Sequence, residues 1–363
     1  PKKTLYILKL YIMIRCKEFG EIMVSEVRSV TYSGIEAVEV RVEVHFAQGL
    51  PAFNIVGLAD KTVAESRERV KAAFHSLGLA LPQKRITVNL APADLLKEGS
   101  HFDLAVALGM MLEAKIIEAD KLLNYIVIGE LSLNGSINAV SGTLPAAIVA
   151  NALKCGIICP KANYAESYYS GNRDILAPQN LFDIINYFKD RQVIPTPHVE
   201  EIPQLNLDLK DLADVKGQAI AKRALEIAAA GGHNMLMVGP PGSGKSMLAK
   251  RIIGILPPLS NAEKLQISSI YSIAGQGMEN GIVCKRPFRE PHSSASQAAM
   301  IGGGRNAKPG EITLANTGVL FMDELPEYHK NVLESMRQPL ESGEVTIARV
   351  NSHVTYPADF QLI

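Results

Sequence analysis

Eight residues constrain this chain more than any others: Gly239-Pro240-Pro241-Gly242-Ser243-Gly244-Lys245-Ser246 fits the spacing G-x-x-x-x-G-K-[ST]. Loops of that pattern turn successive backbone N–H groups inward around phosphates and lead into a helix N-terminus, whose partial positive charge adds to the attraction. The flanks agree. Asn234 to Val238 is an apolar-dominated run suited to a buried parallel strand, and Leu248, Ile252 and Ile255 fall at i, i+4, i+7 on one helical face. Strand, loop and helix predict an α/β nucleotide-binding fold. Gly239 to Ser246, with Met247 next on the helix, would surround ATP; Lys245 would reach the β- and γ-phosphates and Ser246 would ligate Mg²⁺.

A second apolar run, Gly318-Val319-Leu320-Phe321-Met322, ends in Asp323-Glu324. Both carboxylates are thereby expected at the carboxyl end of a core strand, where open α/β sheets bind ligands. Asp323 is the expected Mg²⁺ partner, and Glu324 is placed to polarise the attacking water. The competing reading is that the pair caps a helix formed by Tyr328, Val332, Leu333 and Met336.

These motifs stand among longer ones. Arg286-Pro287-Phe288-Arg289-Glu290-Pro291-His292, Gly302-Gly303-Gly304, Pro309 to Ala315, Gly318 to Pro326 and Arg337-Gln338-Pro339-Leu340-Glu341 closely resemble the YifB/ComM family of magnesium-chelatase-like AAA+ ATPases. In the N-terminal half, Gly49 to Leu58 and Arg85 to Leu95 are similar to the same family, and the resemblance covers essentially everything from Met23 onward. It implies a Lon-protease-like domain of the ribosomal S5 domain 2 type, followed by a P-loop AAA+ domain. It also implies a hexameric ring acting on DNA as a helicase or branch-migration factor in transformation and recombination.

Boundaries follow from composition. Arg191 to Leu207 carries three prolines among polar residues and reads as a linker between an N-terminal domain, 23–190, and an ATPase core, 208–363. Residues 1–22 hold a short apolar stretch, Leu5 to Ile14, which is too short to span a bilayer and is read as a leader of doubtful status. With 47% hydrophobic and 20% charged residues, and 37 acidic against 37 basic, the chain is expected to be a cytoplasmic globular protein without a membrane partner. Its four cysteines, Cys16, Cys155, Cys159 and Cys284, lack paired C-x-x-C spacing, so no structural zinc is expected.

The N-terminal region reads as mixed α+β. Glu39 to Val44 alternates as a half-buried strand, Val63, Val70, Phe74 and Leu77 line a helix ended by Gly78, and Asn134-Gly135 signals a hairpin with a type I′ turn. A Lon-like peptidase needs a serine nucleophile and a lysine base. By resemblance, Glu98-Gly99-Ser100-His101 puts His101 at the nucleophile position and Ser141-Gly142-Thr143-Leu144 puts Leu144 at the base, so peptidase activity is not expected. This region is read as a binding or assembly module.

Two basic segments are candidates for DNA. Arg67, Arg69 and Lys71 lie on the N-terminal helix, where the ordinary alternative is a solvated face. Lys285, Arg286, Arg289, Arg305 and Lys308 lie in the insert before the Asp-Glu strand, with Gly302 to Gly304 as a flexible tip; subunit packing is the alternative. His292-Ser293-Ser294 departs from the family's His-His-Thr. The end of the chain reads as a strand stopping before the sensor 1, arginine-finger and lid residues of AAA+ proteins, which would impair hydrolysis. A chelatase-like motor remodelling a protein or assisting metal insertion, and a regulatory nucleotide-binding module, are the alternative functions.

Overall fold

Alternating valines build the first sheet. In the computed structural model, residues 25–199, 210–304, 307–348 and 353–363 are described. Strands β1 (Ser25–Ser33), β2 (Glu36–Ala47), β3 (Ala52–Val56), β4 (Arg85–Ala91) and β5 (Tyr125–Val127) precede a small hairpin, β6 (Glu130–Leu131) and β7 (Ile137–Asn138). Then come β8 (Gly156–Ile158) and β9 (Ile175–Leu176). Seven of these form one sheet in the order β3-β4-β2-β1-β5-β8-β9. β2 is antiparallel to β1 and β4, and every other pairing is parallel.

The alternation sorts side chains to two faces. Val40, Val42 and Val44 are fully buried against the helices Lys61–Ser76 and Asp103–Glu113. Val30, Ile126 and Ile157 face the other way, into the helix Thr143–Ala152. Burying each such side chain contributes about 1.5–3 kcal/mol, which is what fixes the strand register. The Lys61–Ser76 helix starts where Asp60 accepts the Val63 N–H and stops at Leu77, with Gly78 in the left-handed region at φ 68°.

The β6–β7 hairpin joins where expected, but not through a type I′ turn. Gly135 N–H donates to the Ser132 carbonyl at 3.0 Å, making Leu133 and Asn134 the central pair, and only Gly135 has positive φ. A type I′ turn requires positive φ at both central residues.

The second sheet is smaller: β10 (Phe288–Arg289), β13 (Val319–Leu320) and β16 (Gln361–Leu362), all parallel, in that order. Two antiparallel pairs flank it, β11 (Gly302–Gly303) with β12 (Lys308–Pro309), and β14 (Glu344–Ala348) with β15 (His353–Pro357). Val319 and Phe321 pack toward the helices Ala219–Gly231 and Lys245–Ala249, while Leu320 and Met322 pack toward the hairpin β14–β15.

Asn234 to Val238 is not a strand here. It contributes one backbone bond, Met235 N–H to the Leu362 carbonyl at 2.9 Å, and Leu236 and Val238 are 73% and 89% exposed. The expected helix after the phosphate loop is also interrupted: Lys245–Ala249 is followed by a separate 3₁₀ turn, Ile252–Gly254. Along Ala219–Gly231 the buried stripe is Leu225, Ala228 and Ala229, whereas Ile220 is exposed. The two sheets' surroundings meet where the helix Asn261–Ala274 reaches Thr143–Ala152: Ser272 accepts the Gly142 N–H at 2.9 Å and donates its hydroxyl to Glu166 at 2.7 Å. Cys155 and Cys159 are buried free thiols beside β8; Cys16 lies outside the described residues. No helix among the described residues is long and apolar enough to cross a membrane.

Candidate nucleotide site

The phosphate loop turns on two glycines. Gly242 (φ 76°) and Gly244 (φ 89°) occupy the left-handed region, open to glycine at little cost, and Gly244 hands the chain directly to the helix Lys245–Ala249. Lys245 therefore stands at the first helical position. Its Nζ donates to the carbonyls of Gly239 at 2.9 Å and Pro240 at 3.2 Å, so the ammonium lies folded over its own loop.

Ser246 points out of the loop to the strand side. Its Oγ donates to Asp323 Oδ2 at 2.8 Å across 77 residues of sequence, while Asp323 Oδ1 accepts the Glu324 N–H at 3.0 Å. These bonds decide against helix capping by the acidic pair: the Lys330–Ser335 helix has His329 at its N-cap and no side-chain cap bond. Glu324 is exposed and itself left-handed, φ 54° and ψ 47°. For a residue with a Cβ that conformation costs of order 1–3 kcal/mol, a strain that clusters at functional sites.

The loop fits a bound phosphate on its own geometry. Ser243 Oγ is buried with no hydrogen-bond partner, although it stands 3.0 Å from where a Cβ on Gly239 would sit. A hydroxyl without a partner in a glycine cradle suits an anionic ligand oxygen. The nearby metal donors are a hydroxyl and one carboxylate, the hard oxygen set that suits Mg²⁺ shared with phosphates. No group of three or more His, Cys, Asp or Glu able to hold a metal occurs among the described residues.

Supporting contacts were not legible in the motif. Gln218, left-handed at φ 54°, donates to the Ser243 carbonyl at 3.3 Å and braces the loop from 25 positions upstream. Lys250, just past the loop helix, pairs with Glu290 at 2.8 Å. Tyr328 donates its hydroxyl to the Pro291 carbonyl at 2.5 Å, and burial, reinforced by the charges of Asp323 and Glu290, raises its pKa.

The basic insert is not a bare cationic surface. Arg289 forms a two-pronged pair with Glu311 at 2.6 and 2.7 Å, and Arg286 bonds to the Pro257 and Thr317 carbonyls and to Glu263. Both guanidiniums are structural ties, because carboxylates distant in sequence reach them. Lys285 and Lys308 remain exposed, and Arg305 lies outside the described residues. The Gly302–Gly304 run is no free tip at its start: a Cβ on Gly302 would stand 2.4 Å from the Lys308 carbonyl, so β11 pairs with β12 where only glycine fits. On the N-terminal helix, Arg69 is likewise spent on Asp103 at 2.5 and 2.9 Å.

A cavity of about 470 Å³ lies away from the phosphate loop between the first sheet and the β14–β15 hairpin. Ser100, His101, Glu130 and Ser141 line it. His101 is buried with its Nε2 2.8 Å from the Val30 carbonyl, and burial pushes its pKa down to about 4. Ser100 donates to Glu130, Leu144 is fully buried, and Lys97 donates to the Pro92 carbonyl.

A family model described as magnesium chelatase, subunit ChlI, matches residues 211–363, and one described as subunit ChlI of Mg-chelatase matches residues 42–163. Over 335 residues the chain is 44% identical to competence protein ComM of Haemophilus influenzae, covering 91% of this chain and 66% of that protein. It is 43% identical over 332 residues to the uncharacterized protein YifB of Escherichia coli, covering 91% and 65%. Identity to the uncharacterized protein Mb2921c of Mycobacterium bovis is 37% over 340 residues, covering 92% and 67%. The chain thus spans 66% and 65% of the length of the first two relatives. It belongs to the YifB/ComM family of magnesium-chelatase-like AAA+ proteins.

Proposed function

We propose, from that membership, that the chain binds Mg²⁺·ATP in the Gly239–Ser246 loop and hydrolyses it. The observation that carries this reading is the 2.8 Å bond from Ser246 to Asp323, which joins the phosphate loop to the acidic strand end. Lys245 would exchange the Gly239 and Pro240 carbonyls for the β- and γ-phosphates. Ser246 and Asp323 would hold Mg²⁺, which neutralises charge on the phosphates when bound. Glu324, exposed at the strand tip, would orient the attacking water as general base.

For the whole protein we propose a cytoplasmic ring, hexameric by family analogy, that works on DNA as a helicase or branch-migration motor. Support comes from the name of the Haemophilus relative, a competence protein. In this reading residues 23–190 form a Lon-like assembly or binding module without a Ser-Lys dyad, 191–207 a linker and 208–363 the ATPase core. The family models favour one alternative, a chelatase-like ATPase that remodels a protein partner or assists metal insertion. Steady-state ATP hydrolysis by the full-length protein, with and without branched DNA, separates the two. Stimulation by DNA that disappears in Glu324→Gln supports the DNA motor; turnover indifferent to DNA favours protein remodelling.

A further inference from the structure

The two edges of the seven-stranded sheet are finished differently. β9 is two residues long, the kind of short edge that offers little for another chain to pair with. β3 runs five residues, Ala-Phe-Asn-Ile-Val, and pairs with β4 in unbroken register from Ala52↔Arg85 to Val56↔Asn89. It contains no proline, charge or bulge, the devices that normally protect an edge. Among the described residues β4 is its only neighbour in the sheet, and the apolar line continues through Leu50, Val56 and Leu58, which are 88%, 47% and 53% exposed.

Charge defines what fits beside it. Between β3 and the Lys61–Ser76 helix lies a notch of about 380 Å³ lined in part by Asn54, Ile55, Arg67 and Arg85, with no carboxylate in its lining. Glu68 already pairs with Arg67 at 3.1 Å and Lys71 at 3.3 Å, and Lys61 pairs with Glu65. Arg85 is exposed and has no carboxylate partner among the described residues.

We propose that β3 docks an extended, acidic segment of a partner protein, which adds to the sheet as a further strand and sets a carboxylate against Arg85. Main-chain bonds supply the affinity of such an addition, and alternate side chains supply its specificity. A nucleic acid suits the site less, because most of its cations are already paired and a row of backbone N–H and C=O groups unpaired among the described residues matches another peptide.

The test uses three fluorescein-labelled peptides titrated into the full chain. One alternates valine and glutamate, one alternates valine and lysine, and the third is the glutamate peptide N-methylated at alternate main-chain nitrogens. Anisotropy should show the glutamate peptide binding about tenfold or more tightly than the others, with slowed hydrogen exchange across residues 52–56. Arg85→Glu should weaken that binding about tenfold, leaving melting temperature and ATP affinity unchanged. Equal binding of the three peptides, no binding at millimolar concentration, or displacement by single-stranded DNA would overturn the proposal. So would concentration-dependent protection of residues 52–56 in the chain alone, which would assign the edge to self-association.

Discussion

The cavity-lining end of the first sheet and the phosphate loop use similar residues to opposite ends. Around the first sheet the polar groups are closed on one another: Asp103 is fully buried and takes Arg69, Ser66 and the Leu131 N–H, while His101 is tied to a backbone carbonyl. At the phosphate loop, Ser243 Oγ has no partner, Lys245 rests on its own loop's carbonyls and Glu324 sits strained and exposed. Closed networks hold a fold together. Unspent donors on a strained, exposed turn are how a site meets a ligand. Similar chemistry is thus structural in one region and available in the other, and burial decides which.

Substitutions should separate the regions cleanly. The largest effect is expected from Lys245→Ala, which should lower ATP hydrolysis by about a hundredfold or more while leaving the thermal transition in place. A large fall in melting temperature would break the contrast. Glu324→Gln should slow turnover by about a hundredfold yet keep nucleotide affinity, a split visible by comparing kcat with equilibrium binding. In the closed region the effects reverse. Arg69→Ala strands the buried Asp103 carboxylate and should cost about 3–5 kcal/mol in denaturant unfolding, with ATP affinity unchanged in whatever fraction stays folded.

The smallest effect is a pH dependence. His101 is held neutral in the fold, with its pKa at about 4 against an ordinary 6.5, so the unfolded chain binds more protons between those values. Its contribution is fully present above about pH 6.5 and is lost as pH falls toward 4, a change on the order of 3 kcal/mol. Unfolding free energies of the native chain and His101→Gln, measured from pH 7 to 4.5, should converge as pH falls. Parallel curves would mean that His101 does not titrate with folding.

Local patterns were legible in the sequence where neighbours in the chain decide the outcome. The valine alternation of β2 and the stop at Gly78 needed no distant partner. The approach of Ser246 to Asp323 could also be read, because a phosphate loop and an acidic strand end are both expected at the carboxyl end of a core sheet. Three readings failed for want of distant information. Arg286 and Arg289 look like free cations until Glu263 and Glu311, 23 and 22 positions away, come into contact. Asn234 to Val238 is apolar enough for a strand, yet a strand also needs a ladder, and it makes one backbone–backbone bond, to Leu362, beside the Leu362 N–H donated to the Asn234 side chain. Gly302 looked like flexibility and is instead held in a close antiparallel pairing, a difference set by the Lys308 carbonyl beyond the turn.

The central claim, that Ser246 and Asp323 form the metal side of a nucleotide site, is tested most directly by binding of a fluorescent ATP analogue with Mg²⁺ and with EDTA. The native chain should bind more tightly with Mg²⁺, and Asp323→Asn should lose that advantage while retaining the weaker, metal-free binding through Lys245. Equal affinity with and without Mg²⁺ in the native chain, or an undiminished Mg²⁺ effect in Asp323→Asn, would contradict it.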